Sequence, residues 1–226
     1  MQDRPEIALT PRPGPLPPFA RIDDFLEPTD HDALLEWVLA NPDQFAPATV
    51  TKGQLESENK VDLSKRICAT SRDLGPLGPV LRERFMAAAP DLMAQAGIRF
   101  SADWLELELA AHGDGAFFTP HTDLSVGASR RPLSDAPGHD RRLSAVYYFH
   151  ARPKGFSGGD LILYRFGAAP KGAGQEPANQ IVIEPNDNRL VAFPSWVQHE
   201  VIRVSCPSDR FEDRRFAVNC WYCEKN

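Results

Sequence analysis

Between Trp104 and Tyr222 the chain breaks into short apolar or alternating runs, each closed by a Gly-, Pro- or Asp-bearing turn. Runs of about four to eight residues are too short for stable helices and suit antiparallel strands. Leu105, Leu107 and Leu109 alternate with Trp104, Glu106 and Glu108, which predicts a strand with one face buried. His112-Gly113-Asp114-Gly115 reads as the turn after it, and Ala116 to Asp123 as the returning strand. Leu143 to His150, Asp160 to Tyr164, Gln180 to Glu184, Arg189 to Phe193, Gln198 to Val204 and Arg215 to Tyr222 continue the series. So many short strands predict a mainly β protein with supporting α-helices (α+β), its core a β-sandwich or jelly-roll barrel.

The first hundred residues read differently. Six prolines within residues 1–18 cannot sustain a helix or a sheet ladder, which predicts an extended N-terminal arm. Ile22 to Leu26 reads as a short strand. Asp30 can cap a helix over 31–40 carrying Leu34, Leu35, Val38 and Leu39, ended by Asn41-Pro42. Residues 46–72 are polar and weakly periodic, a strand or two with long connections. Leu77 to Ala96 predicts a second helix, with Leu77, Val80, Leu81, Phe85 and Met86 at helical spacing and Pro90 dividing it in two. Helical support over about 19–99 thus precedes a β core over about 100–223, within one domain of residues 19–226.

Net charge bounds the partners. At −6 over 226 residues, the chain argues against phosphate-driven nucleic-acid binding. No apolar run has membrane-spanning length and no secretory leader opens the chain, so a cytoplasmic, membrane-free location is the default expectation. Cys68, Cys206, Cys220 and Cys223 are too few for a disulfide scaffold. Cys220 and Cys223 lack a second pair at zinc-site spacing, which favours buried free thiols.

The chemistry concentrates on four residues. His121 and Asp123, two apart on a strand, point to one face and can grip one ion together. His199 adds a second imidazole. Two imidazoles and a carboxylate occupy one face of an octahedral ion and leave the opposite face open, as in non-heme Fe(II) oxygenases. Arg215 lies in the apolar run Arg215-Phe216-Ala217-Val218-Asn219-Cys220-Trp221, sharing a face with Ala217, Asn219 and Trp221. A buried guanidinium needs a partner, either a planar carboxylate ligand or an internal salt bridge.

Taken in order, His121-x-Asp123, Tyr147-Tyr148, Ser157-Gly158-Gly159-Asp160-Leu161, His199-Glu200-Val201 and Arg215 with Trp221 resemble the 2-oxoglutarate/Fe(II)-dependent dioxygenases. The resemblance is to their prolyl-4-hydroxylase-like branch. It implies a double-stranded β-helix, the jelly-roll fold shared with cupins. It implies His121, Asp123 and His199 as iron ligands, and therefore as the catalytic set. It further implies Arg215 and Tyr148 at the distal carboxylate of 2-oxoglutarate, with Trp221 packed beside the pocket. The implied cofactors are Fe(II), 2-oxoglutarate and O2, with ascorbate a candidate reductant. The implied reaction hydroxylates an unactivated C–H bond while 2-oxoglutarate is decarboxylated to succinate and CO2. Asp123 speaks against halogenation, since related halogenases carry a small residue there.

Two departures stand out. Ser205 to Glu212 lengthens the gap between His199 and Arg215, which makes Arg203, Arg210 and Arg214 rivals for the anchor role. Some members carry a tyrosine about ten residues before the first ligand, where this chain offers Ala111-His112. The segment Leu124 to Arg142, with Arg130, Arg131, Arg141 and Arg142, is the expected place of substrate choice, and its basic cluster fits either an acidic substrate or a solvated charged loop. Peptidyl proline, a free amino acid and a small metabolite all fit as substrate. The alternative is a non-catalytic, cupin-like protein that only binds a metal or ligand. Oligomeric state is left open.

Overall fold

The structure, a computed structural model, describes residues 14–51, 59–124, 139–167, 179–208 and 210–225. In chain order the strands are β1 Ala20–Asp23, β2 Ala46–Pro47, β3 Val50–Thr51, β4 Asn59–Lys60, β5 Arg66–Ile67, β6 Ala69–Ser71, β7 Trp104–His112 and β8 Phe117–His121. They continue as β9 His139–Phe149, β10 Ser157–Gly158, β11 Leu161–Tyr164, β12 Gln180–Ile183, β13 Arg189–Pro194, β14 His199–Val201, β15 Val204–Ser205 and β16 Arg215–Lys225. A seven-stranded sheet runs β1-β13-β9-β16-β7-β6-β2, and a five-stranded sheet runs β12-β11-β14-β8-β5. Among the described residues, the strand pairings in both sheets are antiparallel. This is the predicted double-stranded β-helix.

Two cores explain the patterning. One face of the seven-stranded sheet packs on α1 (Pro28–Ala40) and α2 (Gly78–Gln95) through Leu34, Val38, Leu81, Phe85, Leu92, Leu107, Leu109, Tyr147 and Val218. Leu81, Phe85 and Leu92 are fully buried, each stabilising the fold by roughly 1.5–3 kcal/mol. A second cluster joins Tyr148, Val191, Phe193 and Ala217 of the large sheet to Leu161, Leu163 and Ile183 of the small one. Adjacent residues Tyr147 and Tyr148 therefore serve different cores, as period-two geometry requires.

Several expectations need correction. Glu106 and Glu108 are buried, not solvent-facing. The second face of β7 is the barrel interior, where Glu106 pairs with Arg141 and Glu108 with Arg66. His112 is the last residue of β7, outside the turn, and is buried. Helix α1 begins at Pro28 with Glu27 as its cap residue, so Asp30 lies inside the first turn. Proline suits that first position because the N–H it lacks has no intrahelical partner there, and Asn41 ends the helix as predicted. Pro90 does not divide α2, which is continuous. Met86, whose carbonyl loses its usual helical partner to the proline ring, is 41% exposed.

The weakly periodic stretch holds five short strands among its described residues, more than predicted. Cys206, Cys220 and Cys223 are buried and in no disulfide, while Cys68 is half-buried. Residues 1–13 of the predicted arm lie outside the described residues, as do 125–138 of the segment expected to choose substrate. Residues 14–18 carry no helix or strand, and Gly14 O accepts a hydrogen bond from Arg165 Nη1 at 2.7 Å. Among the described residues no helix is long and apolar enough to cross a membrane.

Candidate metal and cosubstrate site

Pairing of β8 with β14 sets His121 opposite His199. Asp123 follows two residues after β8 ends, and its backbone N–H donates to Ser195 O at 3.0 Å, tying it to the turn before β14. The three side chains converge, with candidate donor atoms within 4.8 Å of one another. His121 Nε2 lies 3.8 Å from Asp123 Oδ1, and His199 Nε2 lies 3.7 Å from Asp123 Oδ2. Each ring is turned by its own hydrogen bond, His121 Nδ1 to Thr119 O at 2.8 Å and His199 Nδ1 to Val197 O at 2.9 Å. A carbonyl can only accept, so the protons sit on Nδ1 and both Nε2 lone pairs are left for a metal.

Electrostatics agree with that geometry. Burial, reinforced by the neighbouring His199, lowers His121 to about 3, so its ring is a neutral donor at ordinary pH. Burial alone would raise Asp123, but His199, His121 and Arg141 outweigh it and hold the carboxyl at about 2. Its Oδ2 accepts from Ser144 Oγ at 2.6 Å and from Trp221 Nε1 at 2.9 Å. Trp221 therefore does more than pack beside the pocket, because it orients a candidate ligand.

Arg215 opens β16 and lines the same pocket as the triad, together with Tyr148, Asn219 and Trp221. It is 1% exposed. Among the described residues no carboxylate lies within ion-pair distance of it, so the internal salt bridge does not form. Its guanidinium sits 4.9 Å over the Tyr148 ring, and Nη1 lies 3.2 Å from His112 Nδ1. Gly159 makes room for it: at φ +72°, a Cβ there would stand 2.7 Å from Arg215 Cδ. The rivals point elsewhere. Arg203 binds Gly115 O, Arg210 pairs with Asp213 and Glu212, and Arg214 lies over Phe211.

Whether this pocket suits a dicarboxylate can be judged from its unsatisfied atoms. Tyr148 Oη and Arg215 Nε are buried without a hydrogen-bond partner. Burial pushes the Tyr148 phenol up to about 12 against the opposing charge of Arg215, so it remains a donor. The orphaned phenol O–H beside a guanidinium whose own Nε–H is orphaned matches the needs of a carboxylate.

Sequence reasoning missed some of the lining. Arg66, on a two-residue strand in the weakly periodic stretch, faces the pocket while bound to Glu108 Oε1 at 3.0 Å and Cys68 Sγ at 3.0 Å. Nothing local in the sequence marks it. Ser144 stands opposite Trp221 across the β9–β16 pairing, a neighbour that only the register reveals. Arg141 and Arg142, counted toward an acidic substrate, are engaged by Glu106 and Glu224 instead.

The family model of the 2OG-Fe(II) oxygenase superfamily matches residues 107–223, just over half of the chain, and the chain belongs to that superfamily. Membership brings Fe(II), 2-oxoglutarate and O2 as cofactor and cosubstrates. An uncharacterized PKHD-type hydroxylase of Synechocystis is 31% identical over 209 residues, covering 92% of this chain and 63% of that protein. The chain thus spans less than two thirds of that relative's length. A crystal structure of a Pseudomonas putida prolyl-4-hydroxylase superposes with a TM-score of 0.61 at 20% identity, covering 92% of this chain and 93% of that one. A Trichoplax adhaerens prolyl hydroxylase, solved with a hypoxia-inducible-factor peptide fragment, gives 0.60 at 18% identity over 90% and 82% of the two chains. At such identities these structures speak for the fold, which they share.

Proposed function

We propose that the chain is an Fe(II)- and 2-oxoglutarate-dependent hydroxylase of an unactivated C–H bond, releasing succinate and CO2. The observation that carries this reading is a convergent His121, Asp123 and His199 in the same pocket as a buried Arg215 that has no carboxylate partner among the described residues. His121 Nε2, His199 Nε2 and an Asp123 oxygen would hold the metal. Arg215 and Tyr148 would seat the distal carboxylate of 2-oxoglutarate by charge-assisted hydrogen bonds. Iron, when bound, supplies the oxygen-activating chemistry, while the protein orients and shields it. A cupin-like protein that only binds a metal would leave the uncompensated Arg215 without a reason.

Substrate identity is the finer part of the proposal. Peptidyl proline is the first candidate, because the Trichoplax relative of like fold was solved with a peptide, and free amino acids and small metabolites follow. Anaerobic addition of Fe(II) and 2-oxoglutarate should give a weak visible charge-transfer band, and Arg215→Ala should weaken 2-oxoglutarate binding far more than iron binding. Succinate release on admitting air with proline-containing peptides then reads the reaction. No band, and no succinate with any substrate class, would sink the oxygenase reading.

A further inference from the structure

His112 is a pocket histidine that the candidate metal triad leaves over. It closes β7 directly opposite Arg215, the first residue of β16, in the antiparallel register. It is 5% exposed and lines the same pocket as the candidate ligands. Its Nδ1 lies 3.2 Å from Arg215 Nη1. A guanidinium carries donors only, so this contact is a hydrogen bond only if Nδ1 accepts, which places the ring's proton on Nε2. Arg215 itself has a long side chain, a glycine beside it at Gly159 and no acidic partner within reach among the described residues. His112 Nδ1 is the acceptor that the fold brings within hydrogen-bond distance of its Nη1.

We infer that His112 is a positioning residue for the cosubstrate, its Nδ1 holding Arg215 so that the remaining N–H groups of the guanidinium meet the distal carboxylate of 2-oxoglutarate. The inference rests on the reading of the pocket as a 2-oxoglutarate site. Burial and the charges of Arg215 and Arg66 outweigh a hydrogen bond to the Arg215 backbone and keep the imidazole well below its ordinary pKa, the neutral form that the acceptor role needs. His112 acts here through Arg215, so its removal should alter recognition of the distal carboxylate and leave the metal site alone.

The test compares 2-oxoglutarate with 2-oxopentanoate, which has the same chain length but no distal carboxylate. Binding is titrated anaerobically on the Fe(II)-loaded full chain. His112→Leu should raise the Kd for 2-oxoglutarate about tenfold or more, the scale of one hydrogen bond to a charged group. It should leave the Kd for 2-oxopentanoate and for Fe(II) within about twofold, so the selectivity ratio collapses. His112→Asn, whose Oδ1 stands in for Nδ1, should restore most of the ratio. Loss of both keto acids in proportion, or no change in either, would overturn the inference. If His112→Leu does not fold, nitrogen NMR of the wild-type, zinc-loaded protein still decides: a proton on Nδ1 of His112 excludes the acceptor role. Failure of the wild type to bind 2-oxoglutarate with Fe(II) would instead strike the proposed function.

Discussion

Trp221 Nε1 donates to Asp123 Oδ2 at 2.9 Å, joining the centre of the large sheet to a candidate metal ligand that lies beyond the end of β8 in the small one. Ser144 Oγ, opposite Trp221 on β9, donates to the same oxygen at 2.6 Å. The carboxylate therefore has one oxygen held by two protein donors. The Arg141 guanidinium covers the Trp221 ring at 3.9 Å and is held in turn by Glu106 through Nε at 3.1 Å and a second bond through Nη2. A buried charge pair, an indole and a candidate ligand carboxylate thus form one packed stack.

Removing one donor from that oxygen should loosen the metal. Trp221→Phe keeps an aromatic face for Arg141 but deletes the indole N–H. Partners of this kind are worth about 10- to 100-fold in metal affinity. Competition against a fluorescent chelator should show Fe(II) binding weakened by about tenfold, with Ser144→Ala producing a loss of similar size. An unchanged affinity in both variants would mean that Asp123 is held by backbone placement alone.

Metal binding should also be visible as stability. A ligand that binds only the folded state adds about 2.7 kcal/mol at a hundredfold excess over Kd. For a domain of this size that is a rise in Tm of roughly 5–10 °C. Anaerobic Fe(II) should produce that rise, a chelator should reverse it, and His199→Ala should abolish it. A thermal shift that persists in His199→Ala would place the bound ion elsewhere.

How much of this was legible in sequence depends on the range of the interaction. Strands declare themselves through period two, and His121, Asp123 and His199 through residue chemistry and order. Arg215 announces itself because a charge inside an apolar strand demands a partner. Period two separates the two faces of β7 but cannot say whether the polar face meets water or a polar interior, which is why Glu106 and Glu108 are misjudged. Arg66 sits on a strand of two residues, so no periodicity marks it, and it reaches the pocket only through pairing with β8. The link from Trp221 to Asp123 spans 98 residues and depends on register and ring orientation, neither of which composition encodes.

The Glu106–Arg141 pair should be costly to break and much cheaper to remove whole. Both side chains are nearly inaccessible, at 1% and 10%. Removing one partner of a buried pair typically costs about 3–5 kcal/mol. Denaturant unfolding should show Arg141→Met destabilised by about 3 kcal/mol. The double variant Glu106→Gln/Arg141→Met should recover at least about 1 kcal/mol of that loss. Strict additivity in the cycle would remove any energetic coupling between the two.

The acid limb of stability should report Asp187, which anchors α1 to the large sheet. Its carboxylate lies 3.3 Å from His31 Nε2 and 2.6 Å from Arg152 Nη2, and accepts the backbone N–H of His150 at 3.1 Å. Burial would raise its pKa, but hydrogen bonds from His31 and Arg152 outweigh that and hold the group well below the ordinary carboxylate range. A carboxylate depressed in the folded state stabilises above its unfolded pKa of about 4 and loses that contribution as pH falls toward the folded value. Because Arg152 is largely exposed, the worth of the pair is discounted to about 1 kcal/mol. Asp187→Asn should therefore be less stable than wild type by about that amount from pH 5 to 7. The gap should close as both proteins are taken below about pH 4. Urea unfolding at a series of pH values reads the difference directly, and a gap that widens in acid would reverse the assigned sign.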